Sequence, residues 1–453
     1  MPGQGSSEIP VIDGFMSIEE LQDPRPSLAR ARQETPIFKT TDRQDRTIYV
    51  VTHYDLVKEC FSRPADFSND FGFLIRSGSG NAEADRILAA TGLDYEKDGT
   101  GLPNQDGAEH TRRRNLVQPA CTAPAVKRRT KFLRVVGDQL IDEFIDRGVF
   151  DVGEDFAVSF AIMAKLDVLG LDKHDKNLVK KGDEWSKASL IRTGGLATAE
   201  EEIDAARKIV DFQQHMRAVV RGLNEVPRDD LMSSVVQQIK QEADPLTEDE
   251  LVGLMLELFL AGNEASKTTI MAGMALMARH PDQWALLKAN PALAGNAAVE
   301  VLRCHSTASS IFRIVPRNMQ LGGIELLNDA IVSLRQDSAN RDGQFFSDRT
   351  TFNISRERSR YHIIFGFGAH QCLGQALARR ELVITLEKCR SASEICSSWR
   401  KRPIYDASAM RRSCPQESYA ELYGSVRSFI GHGGGRGPDG DATHVRRISA
   451  ART

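Results

Sequence analysis

One long helix near the middle of the chain limits the possible architectures. Residues 247–250 form a capping box, with Thr247 at the N-cap and Glu250 three residues later. The helical pattern continues to His280, where Pro281 ends it, so the helix spans about 50 Å. Residues 251–258 are nearly all apolar, which predicts burial of this helix. A buried helix of this length crosses a whole domain.

The rest of the chain is mainly helical, with strand signals at a few places. Helical periodicity dominates residues 109–278. β-Branched residues and turn residues mark the strands. The other predicted elements are a strand at 47–52, a short helix at 55–61, a long loop at 67–105, short strands within 310–335 with turns at 322–323 and 328–329, an irregular meander at 337–360, and a helix after Gly374.

The sequence predicts one large domain that is mainly α with small β-sheets. Its 453 residues alone would suggest two or three domains, but no internal repeat or linker divides them. Residues 1–20 are expected to form a loose polar segment. The domain covers 21–430, with a divergent part at 390–430, and the Gly- and Arg-rich residues 431–453 are expected to be disordered.

Composition excludes several classes of protein. The net charge of -3 leaves no excess of positive charge for nucleic acid or an anionic membrane. The N-terminus has neither a basic nor an apolar segment of a signal peptide, and Glu257 interrupts the longest apolar stretch, so no membrane anchor is expected. Seven cysteines without a CxxC pair predict a reducing, cytoplasmic location rather than disulfides or zinc.

The strongest motif lies at residues 365–374, which read F-G-F-G-A-H-Q-C-L-G. A free cysteine is most often inert and buried, and Cys372 taken alone would be given that role. Its neighbours favour a ligand instead. Gly366 and Gly368 permit tight backbone turning close to a planar group. The helix that starts after Gly374 places free N–H groups near the sulfur, which stabilises a thiolate.

This segment resembles the cysteine-ligand loop of the cytochrome P450 superfamily, F-G-x-G-x-H-x-C-L-G, at every fixed position. The resemblance covers about residues 20–388 and is of the soluble bacterial type. It implies the cytochrome P450 fold, haem b as cofactor and Cys372 as the axial ligand to the haem iron. A thiolate ligand pushes electron density to the iron and favours O–O cleavage.

A second motif, E-V-L-R at residues 300–303, precedes the cysteine motif by about seventy residues. Alone, such a tetrapeptide usually forms an exposed i,i+3 ion pair. Here F-N-I-S-R follows at 352–356, and the arrangement resembles the Glu–Arg–Arg triad of the family. The resemblance implies that Glu300, Arg303 and Arg356 form a structural network that supports the cysteine loop.

A basic stretch at residues 106–114 predicts either a solvated helix face or an anion site. His110 and Arg114 lie at i and i+4, on one face of a helix, where together they can bind a carboxylate. In the family, this His and Arg pair with a haem propionate. The resemblance also implies that Arg313 and His370 contact propionates and that Phe365 belongs to the cofactor site.

Residues 261–266, A-G-N-E-A-S, resemble the oxygen-binding part of the long helix of the family, A-G-x-[DE]-T-[ST]. The resemblance implies that Gly262 leaves room for dioxygen and that Glu264 and Ser266 are catalytic residues for proton delivery. Ala265 replaces the usual Thr, and a methyl group cannot donate a hydrogen bond. Protons would then come through Ser266, ordered water or a substrate hydroxyl. The alternative is slow, poorly coupled turnover.

The resemblance implies a monooxygenase that hydroxylates or epoxidises a lipophilic small molecule, in natural-product, terpenoid or steroid metabolism. No flavin or iron–sulfur segment is visible in the sequence. Electrons from NAD(P)H would therefore arrive through a separate ferredoxin and ferredoxin reductase. Four arginines are either docking residues for an acidic ferredoxin or solvated surface groups: Arg112, Arg113, Arg379 and Arg380.

Two other functional classes are open at this point. One is a haem-thiolate enzyme of different chemistry, such as ring coupling or peroxygenase activity, and the other is a haem-binding protein with little turnover. Four mostly apolar segments are expected to line the pocket, which favours a lipophilic substrate. They are residues 67–74, 184–195, 258–266 and 308–311.

Overall fold

The long helix forms as predicted and lies at the centre of the molecule. In this computed structural model it spans Glu248–Arg279, and Thr247 and Glu250 form the reciprocal capping box at its start. We call it the central helix. The structure describes residues 9–389 except 18–19, 22, 43, 73–80, 93–100, 148–149, 195–196, 229 and 243–244. The predicted tail at 431–453 and the divergent part at 390–430 lie outside the described residues.

Other helices surround the central helix. Its first half packs against Ala199–Glu225 and Lys176–Gly194, and its second half against Ala294–Cys304 and the helix after the cysteine. That last helix, Gln375–Cys389, is called the cysteine helix. Among the described residues, the remaining α-helices are Arg25–Glu34, Tyr54–Ser62, Ala82–Ala89, Gly107–Cys121, Ala123–Asp142, Val158–Leu169, Leu231–Ile239, Pro281–Ala289 and Gln336–Ala339, with a π-helical turn at Val152–Ala157.

Within the described residues, two small sheets lie beside the helices. The larger sheet has the strand order β1-β2-β6-β3, with β2 and β6 parallel and the two outer pairings antiparallel. A separate hairpin pairs β4 with β5. The predicted turn residues between these strands adopt positive φ at Gly322, Gly323 and Asp329. The strands are β1 Ile37–Thr41, β2 Thr47–Val51, β3 Ser310–Ile314, β4 Met319–Leu321, β5 Ile324–Leu326 and β6 Ile331–Arg335.

The structure departs from the sequence-based expectations in the first hundred residues. Residues 9–17 are not loose, because Phe15 is buried and packs edge-to-face against Phe38. The segment 67–105, expected to be a loop, contains the helix Ala82–Ala89. Its start is capped by the side chain of Asn81, and it packs against Ala199–Glu225. Tertiary contacts therefore give these two segments a defined structure, although their sequences show little helical or strand periodicity.

The helices show no membrane-spanning candidate. Within the described ranges, none is both long enough and apolar enough to cross a bilayer.

Candidate active site

The cysteine loop, residues 365–374, is a tight turn held by backbone hydrogen bonds. The Cys372 N–H donates to the Phe365 carbonyl at 2.9 Å and closes the loop. Gly366 and Gly368 have φ of +67° and +77°, in the region that favours glycine. A Cβ at Gly368 would lie 2.7 Å from the carbonyl oxygen of Phe61, so a side chain there would displace the loop.

Cys372 lies inside the protein but remains accessible. Its surface is exposed, yet protein surrounds it closely enough that burial raises the pKa of its thiol. A residue with both properties lines an internal cavity. Hydrogen bonds from the Gly374 and Gln375 N–H groups, at the start of the cysteine helix, and the charge of Arg114 lower the pKa of the thiol. These groups stabilise negative charge on the sulfur.

His110 and His370 come together beside the cysteine loop. Their rings stack with centroids 3.8 Å apart. The Nε2 atom of His370 lies 3.1 Å from Asp106 Oδ1, and Asp106 also accepts hydrogen bonds from Ser68 and from the Asn69 N–H. Burial and the nearby charge of His370 lower the pKa of His110 to about 4. His110 is therefore neutral at pH 7.

Two arginines near this pair have no acidic partner among the described residues. Arg313 on β3 is 4% exposed, and its Nη1 donates to the carbonyl of Phe312 at 2.7 Å. Burial lowers the pKa of Arg313 to about 10. Arg114 donates to the carbonyl of Gln371 at 2.7 Å, within the cysteine loop. A buried guanidinium without a carboxylate is unfavourable unless an anion binds there.

The central helix forms another wall of the cavity. Ala261 is exposed and Ala265 is partly exposed, although both lie in the middle of a helix that is otherwise largely buried. Leu258, Ala261 and Ala265 share one face of the helix. This face therefore opens onto internal space rather than onto packed side chains. Glu264 lies beside it, and its carboxylate accepts a hydrogen bond from Lys267 at 2.6 Å.

Ser266 is buried on a different face of the central helix. Lys165, in the helix Val158–Leu169, donates to Ser266 Oγ at 3.3 Å and to Glu381 Oε1 at 2.7 Å. A Cβ at Gly262 would overlap the side chain of Lys165, so the glycine makes room for the lysine. The buried Lys165 was not anticipated from the sequence, because it lies a hundred residues from its serine partner.

A hydroxyl pair one turn beyond Ala265 was also missed. Thr269 Oγ1 donates to the Ala265 carbonyl at 2.7 Å and lies 2.8 Å from Thr307 Oγ1. This contact places the segment that starts at 307 next to the cavity face of the central helix. The spacing of four residues between Ala265 and Thr269 places them on one face of the helix, and this spacing could have indicated that Thr269 lies near the cavity.

The structure brings Glu300, Arg303 and Arg356 together. Arg303 and Glu300 are fully buried and form two hydrogen bonds of 2.8 Å. Arg356 Nε lies 3.2 Å from Glu300 Oε1, and Arg303 also donates to carbonyls of the meander. Burial alone would raise the pKa of Glu300, but hydrogen bonds from Arg303 and Ser359 lower it overall. The network joins the helix Ala294–Cys304 to the chain that leads into the cysteine loop.

The four arginines expected to dock a partner differ in availability. Arg113 is buried and paired with Glu109 and Glu250, so the expectation that it docks a partner is wrong. Arg112 is partly exposed and also forms intramolecular ion pairs. Arg379 lies over the ring of Phe365, 5.3 Å from its centroid. Arg380 is partly exposed.

Comparisons with known proteins agree with this geometry. Residues 293–389 match the cytochrome P450 family model. 6-Deoxyerythronolide B hydroxylase of Saccharopolyspora erythraea is 31% identical over 287 residues, which cover 63% of this chain and 69% of the hydroxylase. Cyclomarin C epoxidase of Salinispora arenicola is 30% identical over 361 residues, or 79% of this chain and 85% of the epoxidase.

The fold is similar to solved structures of the same family. Cytochrome P450 CREJ in complex with (4-ethylphenyl) dihydrogen phosphate gives a TM-score of 0.74 at 29% identity, covering 82% of this chain and 90% of that one. The P450 heme domain of Tepidiphilus thermophilus gives 0.75 at 26% identity, covering 82% and 87%. This chain belongs to the cytochrome P450 family and is a monooxygenase of that family. The predicted family and fold class are confirmed.

Membership of the family implies haem as the cofactor, and the residues present fit that group. Cys372 is exposed although protein surrounds its thiol, and the sulfur faces the N–H groups of a helix start. Arg313 and Arg114 have no carboxylate partner in the described chain, which suits the two carboxylates of a haem. The exposed Ala261 leaves open space on the side of the central helix.

Proposed function

We propose that this protein is a haem-thiolate monooxygenase in which Cys372 ligates the haem iron and one oxygen atom of dioxygen enters a lipophilic small molecule. The observation that carries the proposal is the position of Cys372. The residue is exposed although protein surrounds its thiol, and the sulfur faces the N–H groups of Gly374 and Gln375. Haem, when bound, supplies the chemistry of dioxygen reduction and O–O cleavage.

The residues around the cysteine loop would hold the haem carboxylates. Arg313 and Arg114 supply charge that lacks an acidic partner among the described residues. His110 and His370 supply ring nitrogens beside them, and Phe365 lies within the loop itself. The low pKa of His110, about 4, means that it binds an anion as a neutral donor. Arg313 then carries most of the positive charge at this site.

Glu264 and Ser266 are the proposed proton-delivery residues. Glu264 lies beside the cavity face and is paired with Lys267. Ser266 Oγ is held by Lys165 and is buried at 4% exposure, so it reaches the cavity through an ordered water or a change of rotamer. Thr269 offers a second hydroxyl near Ala265. The family usually has Thr at the position that Ala265 occupies here.

The electron donors proposed here are a separate ferredoxin and its reductase. Among the four arginines, Arg113 is buried, and Arg112 and Arg379 contact other side chains of this protein. Arg380 is partly exposed and is therefore suited to an acidic partner. The named relatives include a hydroxylase and an epoxidase of natural products, which favours hydroxylation or epoxidation of such a molecule here.

The test is the Soret band of the ferrous carbon monoxide complex, which is red-shifted when a thiolate ligates the iron. Cys372→Ser should abolish the red-shifted band. Cys121→Ser is the matched control, because Cys121 is a second thiol in the same region, and burial and the charge of Cys372 raise its pKa. The assignment fails if Cys372→Ser keeps the band or if Cys121→Ser loses it.

Turnover with a ferredoxin and reductase tests the second part of the proposal. Product that contains one oxygen atom from labelled dioxygen supports monooxygenation. Product formed only with peroxide, and not with the electron-transfer proteins, would assign a peroxygenase instead.

A further inference from the structure

One carboxyl group lies on the cavity face of the central helix without a role in the proposed chemistry. Glu257 is four residues before Ala261 and eight before Ala265, so the three residues lie on one face of the helix. Ala261 is exposed to the internal space, and Glu257 is partly exposed. Glu257 is therefore placed on the wall of the same cavity, about 6 Å along the helix from Ala261.

The carboxyl group of Glu257 is held in place by one oxygen. Its Oε2 accepts a hydrogen bond of 2.8 Å from the Leu102 N–H, in the segment that precedes the helix Gly107–Cys121. A Cβ at Gly101 would overlap Oε1, so the glycine leaves room for this oxygen. Oε1 accepts no hydrogen bond from the described residues. Oε2 is thus fixed by Leu102, whereas Oε1 can accept a hydrogen bond or bind a cation.

No cation of the described chain forms an ion pair with Glu257. The charge of Arg113 acts on it from a distance, but the guanidinium of Arg113 binds Glu109 and Glu250 instead. Burial raises the pKa of Glu257 to about 7, although the Leu102 hydrogen bond and Arg113 oppose this. A buried carboxyl group without a cationic partner is unfavourable as an ion, and a bound cation would offset that cost.

A structural role alone does not account for this residue. The other carboxylates of the central helix each form an ion pair with an arginine or a lysine. These carboxylates belong to Glu248, Asp249, Glu250 and Glu264. Glu257 occupies instead the middle of the otherwise apolar stretch 251–258, where a leucine would pack and would carry no burial cost for charge.

We propose that Glu257 anchors a protonated amine of the substrate, so that the preferred substrates are lipophilic amines. This inference rests on the proposed function, because it assigns a substrate class to the same cavity. The carboxylate binds the ammonium group through Oε1 while Leu102 fixes Oε2. The apolar remainder of the substrate then extends along Leu258 and Ala261 toward the part of the helix that carries Glu264.

The experiment uses the haem-loaded full chain and two probes of equal shape. One probe is a phenylbutyl trimethylammonium cation, which has no free electron pair and cannot ligate iron. The other is the neutral compound in which carbon replaces the nitrogen. Binding is measured by calorimetry and by the substrate-induced spin shift. The wild type should bind the cation more tightly than its neutral counterpart.

Three variants separate charge recognition from packing. Glu257→Gln keeps an acceptor for Leu102 and should weaken binding of the cation roughly tenfold or more, with the neutral probe changed by less than about twofold. Glu257→Leu should reverse the preference. Glu248→Gln removes a charge from the exposed start of the same helix, where it pairs with Arg221, and should leave both affinities unchanged.

Equal losses for both probes in Glu257→Gln would show a packing role and overturn the inference. Equal affinity of the wild type for the two probes would also overturn it, as would failure to bind the cation at all. In each case the carbon monoxide spectrum of the same preparation tests Cys372 independently. A red-shifted band with no preference for the cation rejects the amine proposal alone, whereas loss of the band rejects the proposed function.

Discussion

Replacing Arg303 with alanine should destabilise the protein and lower its haem content. Arg303 is 1% exposed and forms two hydrogen bonds of 2.8 Å with Glu300. It also donates to the carbonyls of Asn340, Arg349 and Thr351 at 3.0–3.2 Å. One side chain therefore holds both an acid and three carbonyl groups of the meander that precedes the cysteine loop.

The expected loss is roughly 3–5 kcal/mol, the usual cost of cutting one side of a buried ion pair. Arg356 and Ser359 still contact Glu300, so the carboxylate is not left without partners. The entropy of unfolding scales with chain length, and for 453 residues it is about 1 kcal/mol per kelvin. The melting temperature should therefore fall by about 3–5 °C.

The assay is thermal unfolding and urea unfolding, each followed by far-ultraviolet circular dichroism and by haem absorbance, on preparations of equal purity. Arg25→Ala is the control, because the Arg25–Asp23 pair is 48% and 41% exposed and should contribute less than about 1 kcal/mol. An Arg303→Ala protein with wild-type stability and full haem occupancy would refute the reasoning. It would mean that the buried network does not support the cysteine loop.

Three further outcomes follow from the site. Arg313→Leu should lower the ratio of haem to polypeptide, because it removes a buried cation that has no acidic partner in the described chain; an unchanged ratio would contradict a propionate-binding role. Burial depresses the pKa of His362 to about 3, so unfolded protein takes up its proton near pH 6.5 and folded protein does not. Stability should fall as the pH drops from 6.5 toward 3, and His362→Asn should flatten that slope in urea unfolding at pH 7 and pH 5. Ser266→Ala should raise peroxide release per NADPH consumed if Ser266 delivers protons, whereas a larger effect of Thr269→Val would move that role one turn along the helix.

The central helix and the strands near residue 320 could be predicted because their signals are local. The capping box at Thr247 fixes the start of the helix, and glycines mark the turn between β4 and β5. β1 and the helix Ala82–Ala89 were not predicted, because they depend on partners distant in sequence. β1 pairs with β2, and Ala82–Ala89 packs on Ala199–Glu225.

The candidate site was predicted through resemblance, and its individual contacts were not. The resemblance to the family implied that Glu300, Arg303 and Arg356 belong together. The resemblance placed both His110 and His370 at haem carboxylates, but it did not indicate that their rings stack, since 260 residues separate them. The ion pairs that make Arg113 unavailable for docking could not be predicted either. A run of basic residues is typical of a solvated surface, and only the structure shows which acidic side chains pair with it.

One buried side chain links the two walls of the cavity. The central helix carries the open face at Ala261, and the cysteine helix directs its N–H groups at the sulfur of Cys372. Lys165 contacts both, through Ser266 on the first helix and Glu381 on the second. An unpaired buried lysine or glutamate is strongly unfavourable, so the loss of either partner would destabilise the other. The spacing between the helix that faces the substrate and the helix that stabilises the thiolate is therefore set partly by a third helix, Val158–Leu169, whose Lys165 also acts by its charge to lower the pKa of the Cys372 thiol.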